Sequence, residues 1–263
     1  MNKKTARKIM QKVQETYDDI SREFSESRSY AGKEFDLLKK ILGPDQKILD
    51  LGCGNGRLLL FLEQEAKQWA KQTINYLGID NSKKLLEEAR KKHPGHHFQY
   101  GEMSDIPAND DSINTILCIR AFHHLPTKAE RMRALEEMKR VLTPDGTLVV
   151  SVWNLWQKKY WIQLLKAIFR SILTLGRYSP KDTFIPWGKE KKPRYYHAFT
   201  ARELRKLFEK SGWKISELTA EKNKTHSHDL IVIAKPGKRL KAQNAYPSWE
   251  FLLTAGPSMK LWR

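Results

Sequence analysis

The stretch Ile48-Leu49-Asp50-Leu51-Gly52-Cys53-Gly54-Asn55-Gly56 constrains this chain more than any other. An apolar run ends in an acid and then in three glycines at alternate positions. The run reads as a buried strand of a parallel sheet, and the glycines as a loop at its carboxyl end. Glycine reaches positive φ freely and has no Cβ to hold a ligand away. Arg57 to Ala70 then reads as a helix, so its amino end faces the same loop. Such strand–loop–helix units serve dinucleotide binders and other nucleoside binders alike. The spacing here is D-x-G-x-G-x-G rather than G-x-G-x-x-G, which points away from dinucleotide sites.

The rest of the chain alternates in the same way. Strands are expected over 47–51, 74–79, 97–100, 113–119 and 147–153, with helices over 83–92 and 128–142 between them. Ser82 is placed to cap the first of these helices. Strand 113–119 is a continuous apolar run, as a central parallel strand is. Thr143-Pro144-Asp145-Gly146 reads as a turn. This order implies an α/β fold: a Rossmann-like, seven-stranded, mostly parallel sheet with helices on both faces. Apolar positions Ile9, Val13, Tyr17, Ile20 and Phe24 mark an N-terminal helix over 3–24, and another is expected over 32–42. A helix over 201–210 and strands over 213–218 and 229–234 complete the sheet. Residues 154–199 interrupt the pattern as an insertion after the fifth strand. Its segment 155–177 reads as one amphipathic helix with basic residues between apolar rows. That helix can cap the core, lie on a membrane surface or join an RNA-facing platform. The expected organisation is one domain over 1–236 followed by a basic tail, 237–263, whose character begins at Lys235.

The chain has 263 residues, 40% of them hydrophobic, enough to bury a core. No window reaches the roughly 18 apolar residues of a membrane span, so no integral membrane contact is expected. The basic N-terminus is not followed by the apolar stretch of a signal peptide. Cys53 and Cys118 lie in unrelated contexts, which fits a reducing cytoplasm better than a disulfide framework. Forty-eight Lys and Arg against 30 Asp and Glu give a net charge of +18. A field of that sign favours polyanions. It is also uneven: ten basic residues and two acids, Asp182 and Glu190, lie between Lys158 and Arg194.

In open α/β sheets ligands sit beyond the carboxyl ends of the strands. Asp50 and the loop Gly52, Cys53, Gly54, Asn55 and Gly56 end the first strand. Asp80 and Asn81 end the second, and an acid there can accept from both ribose hydroxyls. Glu102, Met103, Ser104 and Asp105 end the third; either carboxylate can accept from an adenine amino group while Met103 covers the ring. Ile119 and Arg120 end the fourth, followed by His123 and His124. Those histidines lack a third partner at metal-ligand spacing, so no metal is expected, and they read as a pocket wall or as structural residues.

The D-x-G-x-G-x-G loop resembles motif I of the class I S-adenosylmethionine (SAM)-dependent methyltransferases. Further segments resemble the tRNA wobble-uridine carboxymethyl methyltransferase family, including the methyltransferase domain of the human AlkB-homologue fusion. These are Tyr17-Asp18-Asp19-Ile20-Ser21-Arg22-Glu23-Phe24-Ser25-Glu26-Ser27-Arg28, Ala121-Phe122-His123-His124-Leu125, Asp182-Thr183-Phe184-Ile185-Pro186-Trp187 and Arg194-Tyr195-Tyr196-His197-Ala198-Phe199. The match covers about residues 13–235. It departs after Arg28, where the family has Lys-Pro-Trp and this chain has Ser29-Tyr30-Ala31-Gly32. The resemblance implies SAM as cofactor, tRNA as substrate, and methyl esterification of a 5-carboxymethyl-type wobble uridine. It also implies a small zinc-binding activator protein as partner, as in the eukaryotic members. Arg28 and His124 are then the candidate catalytic residues, Arg28 to hold a carboxylate or phosphate and His124 to shape the pocket or donate to the base. Tyr17, His123, Trp187, Arg194, Tyr195, Tyr196 and His197 form the candidate substrate wall. A methyltransferase of a small molecule or lipid intermediate, and a non-catalytic RNA-binding relative, are the alternatives.

Overall fold

The apolar runs line up as a single seven-stranded sheet in the computed structural model, which describes residues 1–28, 33–68, 74–222 and 228–237. The strands are β1 (Ile48–Leu51), β2 (Tyr76–Asp80), β3 (His97–Tyr100), β4 (Ile113–Ile119), β5 (Leu142–Trp153), β8 (Trp213–Lys222) and β9 (His228–Pro236). Their order is β3-β2-β1-β4-β5-β9-β8. The first five run parallel, while β9 pairs antiparallel with both β5 and β8. Order reverses at β1, so the crevice beyond the carboxyl ends of β1 and β4 is the topological switch point.

Alternation along the strands divides the core into two layers. Leu49, Leu51, Ile116, Cys118, Leu148 and Val150 face α4 (Lys128–Val141) and α6 (Ala201–Lys210). Ile48, Leu117 and Val149 face α2 (Arg57–Gln68) and α3 (Lys83–Lys92) on the other side. The N-terminal helix α1 (Lys3–Glu26) joins neither layer. It packs on α3 and on β7 (Lys192–His197), across the mouth of the crevice. Asp18 pins it there, accepting from the Ser82 hydroxyl at 2.7 Å and the Lys84 N–H at 3.1 Å.

Several local expectations change. The second N-terminal helix is a 3-10 helix over Lys33–Lys40. The turn at 143–146 is absorbed into β5, which starts at Leu142 and pairs with β4 through a register shift between Ile113 and Thr115. The single helix over 155–177 is a short 3-10 turn, Lys158–Tyr160, followed by α5 (Trp161–Leu173). The insertion then forms an antiparallel hairpin, β6 (Asp182–Trp187) with β7. Pro186 opposite Pro193 masked its strand signal, because proline lacks the ladder donor. Lys235 and Pro236, where the basic character of the tail sets in, still belong to β9. The tail from residue 238, residues 29–32 where the chain departs from the family pattern, and the end of the expected helix 57–70 lie outside the described residues. Among those described, no helix is long and apolar enough to cross a membrane.

Candidate active site

The glycine loop forms the floor of a cavity at the switch point. Gly52 and Cys53 N–H both donate to Ile79 O, at 2.7 and 3.1 Å, which folds the loop back over β2. Gly52 has φ 81°, and a Cβ there would collide with that of Ala121. Asp80 is held from two sides: its Oδ2 accepts from Gly54 N–H and its Oδ1 from Ser82 N–H, both at 2.8 Å. Each oxygen keeps a lone pair for the cavity, while burial raises the carboxyl's pKa. Asp50 lies deeper and accepts from the Tyr76 hydroxyl at 2.9 Å; burial pushes its pKa up to about 7. Ile79, Leu85, Met103, Ile119 and Ala121 add apolar walls. A fixed two-oxygen acceptor, a floor without side chains and apolar walls suit a nucleoside cofactor such as SAM.

Other cofactor candidates are placed differently. Asn55 reaches the cavity, yet its amide donates to Ser25 O, Ser25 Oγ and Arg28 O at 3.3–3.4 Å, strapping α1 to the loop. Gly56 is buried beneath the loop against His93 and Phe98 and is not part of the lining. Asn81 and Met103 line the cavity, whereas Glu102, Ser104 and Asp105 lie outside its lining. Glu102 and Asp105 are exposed and close a turn on each other, with Asp105 N–H donating to Glu102 O at 3.1 Å. Arg120 lines the cavity in the left-handed region, φ 55°, and its Nε donates to Asp229 Oδ2 at 2.6 Å.

Above the floor, α1 and β7 form a second chamber. Tyr17, Phe24 and Arg28 come from α1 and its C-terminal turn, Arg194 and Tyr196 from β7, and His123, His124 and Trp153 from the ends of β4 and β5. His124 Nδ1 donates to Tyr195 O at 2.7 Å, since a carbonyl can only accept. Its Nε2, 2.9 Å from the Tyr17 hydroxyl, is therefore an acceptor. Burial lowers the His124 pKa to about 3, so the ring is neutral. It aims Tyr17 and has no Nε2 proton to give a base, which corrects the donor role allowed from sequence. His123 accepts from Trp153 N–H at 3.2 Å, and burial holds its pKa well below the ordinary value.

Two arginines face this chamber. Arg194 is 3% exposed, and its guanidinium lies 5.3–5.9 Å from the ring centroids of Tyr17, Trp153, Trp187 and Tyr196. Its Nη1 reaches the Tyr17 hydroxyl at 3.5 Å, and its Nε is buried without a partner. Arg28 stacks on Phe24 at 3.8 Å, and burial lowers its pKa to about 10. Among the described residues, no carboxylate lies within ion-pair distance of either arginine.

Three candidate wall residues are not in the lining. Tyr195 donates to Asp182 Oδ1 at 2.7 Å and packs against Ile9 and Val13, so it is not a stacking surface for a base. His197 sits between Asp182 Oδ1 at 3.3 Å and Glu203 Oε1 at 2.9 Å, joining the hairpin to α6. Trp187 packs behind the arginines. Sequence reasoning missed Phe24 and Trp153 as chamber walls. Trp153 was findable as the last residue of a strand ending at the crevice. Among the described residues, no group of three or more His, Cys, Asp or Glu is arranged to hold a metal.

The chain is similar to known methyltransferases. A methyltransferase domain family matches residues 48–146. A protein of Encephalitozoon cuniculi that carries a methyltransferase name is 30% identical, over 77% of this chain and 87% of its own length. The tRNA (carboxymethyluridine(34)-5-O)-methyltransferase of Schizosaccharomyces pombe is 25% identical, over 78% of this chain and 90% of its own. Human "Probable tRNA methyltransferase 9B" is 27% identical over 72% of this chain, which spans only 36% of that protein. Among solved structures, a SAM-dependent methyltransferase from Methanosarcina mazei superposes with TM-score 0.61 at 21% identity, covering 76% of this chain and 97% of its own. A Haloferax volcanii methyltransferase, solved in complex with the Trm112 methyltransferase activator, superposes with TM-score 0.59 at 16% identity, covering 86% and 97%.

Proposed function

The chain belongs to the class I SAM-dependent methyltransferases, and on that premise we propose that it esterifies the carboxylate of a 5-carboxymethyl-type wobble uridine in tRNA. The observation that carries this reading is the pair of arginines, Arg28 and Arg194, facing the chamber above the glycine loop. Among the described residues neither has a carboxylate within ion-pair distance; Arg194 Nε is buried without a partner, and Arg28 donates only to the Ser27 hydroxyl. A buried guanidinium without an anion is unfavourable, and an incoming carboxylate relieves it. The relative from S. pombe carries the name of this reaction.

In this reading Asp80 accepts the cofactor's ribose hydroxyls, Met103 and the apolar walls hold its base, and Gly52 lets its backbone-facing side lie close. Bound SAM would supply a methyl group on a cationic sulfur: the carboxylate oxygen would take it as the carbon–sulfur bond breaks, the sulfur would leave as a neutral thioether, and no proton would move. The remaining work is positioning. Arg28 and Arg194 clamp the acceptor carboxylate, Tyr17 is aimed by His124, and Tyr196, Trp153 and Phe24 exclude water. A carboxyl group of ordinary pKa about 4 is ionised at neutral pH, so no general base is required. The net charge of +18 supports a tRNA partner. The Haloferax relative's complex and the family resemblance make a small activator protein a candidate second partner.

The test uses SAM labelled in its methyl group and tRNA from cells lacking the modification. The expected product is tRNA that releases its label as methanol under mild alkali, with the label on carboxymethyl-type uridines by mass spectrometry. Label stable to alkali, or label that enters only small molecules, overturns the ester reading.

A further inference from the structure

The described part of the molecule keeps its large apolar side chains inside, with one regional exception. Tyr100 apart, every exposed large hydrophobic residue lies between Trp156 and Leu175. Of the helix α5 itself, only Leu164 and Ala167 are buried. Trp161, Phe169 and Ile172 are 63–65% exposed, and Leu173 and Leu175 are 82% and 96% exposed. This corrects the expectation that the amphipathic helix could simply cap the core. Its inner face is narrow, and most of its apolar surface points outward. A contiguous patch of this kind marks an interaction surface.

The charges around the patch narrow the partner. Between Trp153 and Asp182 the sequence has Lys158, Lys159, Lys166, Arg170, Arg177 and Lys181, and no acid. Arg170 and Lys181 are engaged internally, with Asp182 O and Glu203 respectively. Lys158, Lys159, Lys166 and Arg177 are exposed. A second copy of the chain would set this cationic rim against itself without one acid to offset it. RNA would meet the lysines, and its bases can stack on Trp161 and Phe169, but the six exposed aliphatic side chains, Ile162, Leu165, Ile168, Ile172, Leu173 and Leu175, offer it neither a stacking plane nor a donor. Apolar side chains with tryptophan at the helix start, rimmed by lysines, match the chemistry of a helix lying in a membrane interface. At 13 residues the helix is about 20 Å long, too short to span a bilayer of about 30 Å.

We infer that α5 docks on the surface of an anionic lipid bilayer. Its apolar side chains enter the boundary between headgroups and acyl chains, and its lysines meet the negative headgroups. Binding of this kind is peripheral and reversible.

Flotation of the full chain with vesicles tests the inference. Vesicles of phosphatidylcholine mixed with phosphatidylserine are compared with vesicles of phosphatidylcholine alone. The expected result is flotation with the anionic vesicles, weakened by salt, and little with the neutral ones. Phe169→Ser with Ile172→Ser should lower the bound fraction at least about tenfold, while Lys158→Gln, Lys159→Gln and Lys166→Gln lower it severalfold. Phe169 and Ile172 are exposed, so the double variant should fold, which an unchanged thermal midpoint checks. Failure of the wild-type chain to float at low salt overturns the inference. So does equal flotation of wild type and the serine variant, which would mean a general cationic field. A concentration-dependent dimer abolished by the serine variant would assign the face to a second copy. Lost tRNA affinity in that variant, without vesicle binding by wild type, would assign it to RNA.

Discussion

The two faces of β7 are one strand with opposite electrostatics. Tyr195 and His197 point to one side, where Asp182 accepts from Tyr195 and faces His197, and Glu203 and Lys181 close the network. Arg194 and Tyr196 point to the other, where a buried guanidinium sits among four aromatic rings with no carboxylate. Side-chain period 2 puts consecutive residues of the Arg-Tyr-Tyr-His run into these two environments. The saturated face is what a fold needs, since buried polar groups are satisfied within it. The unsaturated face is what a ligand needs, since its missing partner arrives from outside. A family motif read from sequence merges the two, and geometry separates them.

The largest expected effect breaks the saturated face. Asp182→Ala would leave Ser179 N–H without its acceptor, the Tyr195 hydroxyl with only the long contact to Pro126 O at 3.5 Å, and His197 with Glu203 alone. We expect a loss of about 3 kcal/mol or more in stability, measured by denaturant unfolding. Activity per folded molecule should stay within a few-fold. A specific loss of activity without loss of stability would put Asp182 in the catalytic chamber and erase the contrast.

The opposite signature is expected across the strand. Arg194→Met should lower kcat/KM for the acceptor about a hundredfold, roughly 2.7 kcal/mol, because the carboxylate loses its clamp. Titration calorimetry should show SAM affinity within a few-fold of wild type. The thermal midpoint should hold or rise, since no internal ion pair is lost. A strongly destabilised variant would make Arg194 a structural residue.

Asp80 sharpens the rule, because it is held by backbone N–H groups and still faces the cavity. Asp80→Ala should weaken SAM binding tenfold or more, about 1.4 kcal/mol, in calorimetry. Unchanged affinity would reduce those hydrogen bonds to loop scaffolding.

Much of the fold was legible because its signals are local. Three alternate glycines after an apolar strand, the continuous apolar run of β4 and Ser82 before α3 each carry their meaning within a few residues. The hairpin β6–β7 was not legible, since facing prolines hide a ladder that only pairing reveals. The site was legible in part. Asp80, Met103, Arg28 and Arg194 reach the cavity as their positions at strand ends or in motifs allowed. Glu102 and Asp105 turn away because their own backbone turn fixes their direction. Asn55 looked like a loop ligand, but its amide binds α1, a partner 30 residues away in sequence. The partners of His124 were more remote still: the Tyr195 carbonyl, 71 residues later, takes the Nδ1 proton and leaves Nε2 to accept from Tyr17, 107 residues earlier.

The smallest effect separates two buried titratable groups by pH. Burial pushes Asp50 up to about 7 and His124 down to about 3. Below about 7 the Asp50 carboxyl of the free protein is protonated, and above it ionised. A cationic cofactor favours the ionised form, so its binding releases a proton on the acid side. SAM affinity should therefore rise as pH climbs from about 6 to 8 and level off above. A gain of about fivefold corresponds to about 1 kcal/mol of charge interaction. Calorimetry in buffers of different ionisation enthalpy should show the released proton near pH 6.5 and not near pH 8.5. His124 stays neutral over this whole range, and an ionised carboxylate acceptor needs no base, so kcat at saturating SAM should be flat. A kcat that climbs tenfold per pH unit from about 6 to 8 would mean an acceptor that must first lose a proton, a hydroxyl or ring nitrogen. The ester reading would then fall, and the arginine pair would have to hold some other anion of the substrate, with the fold and the cofactor unaffected.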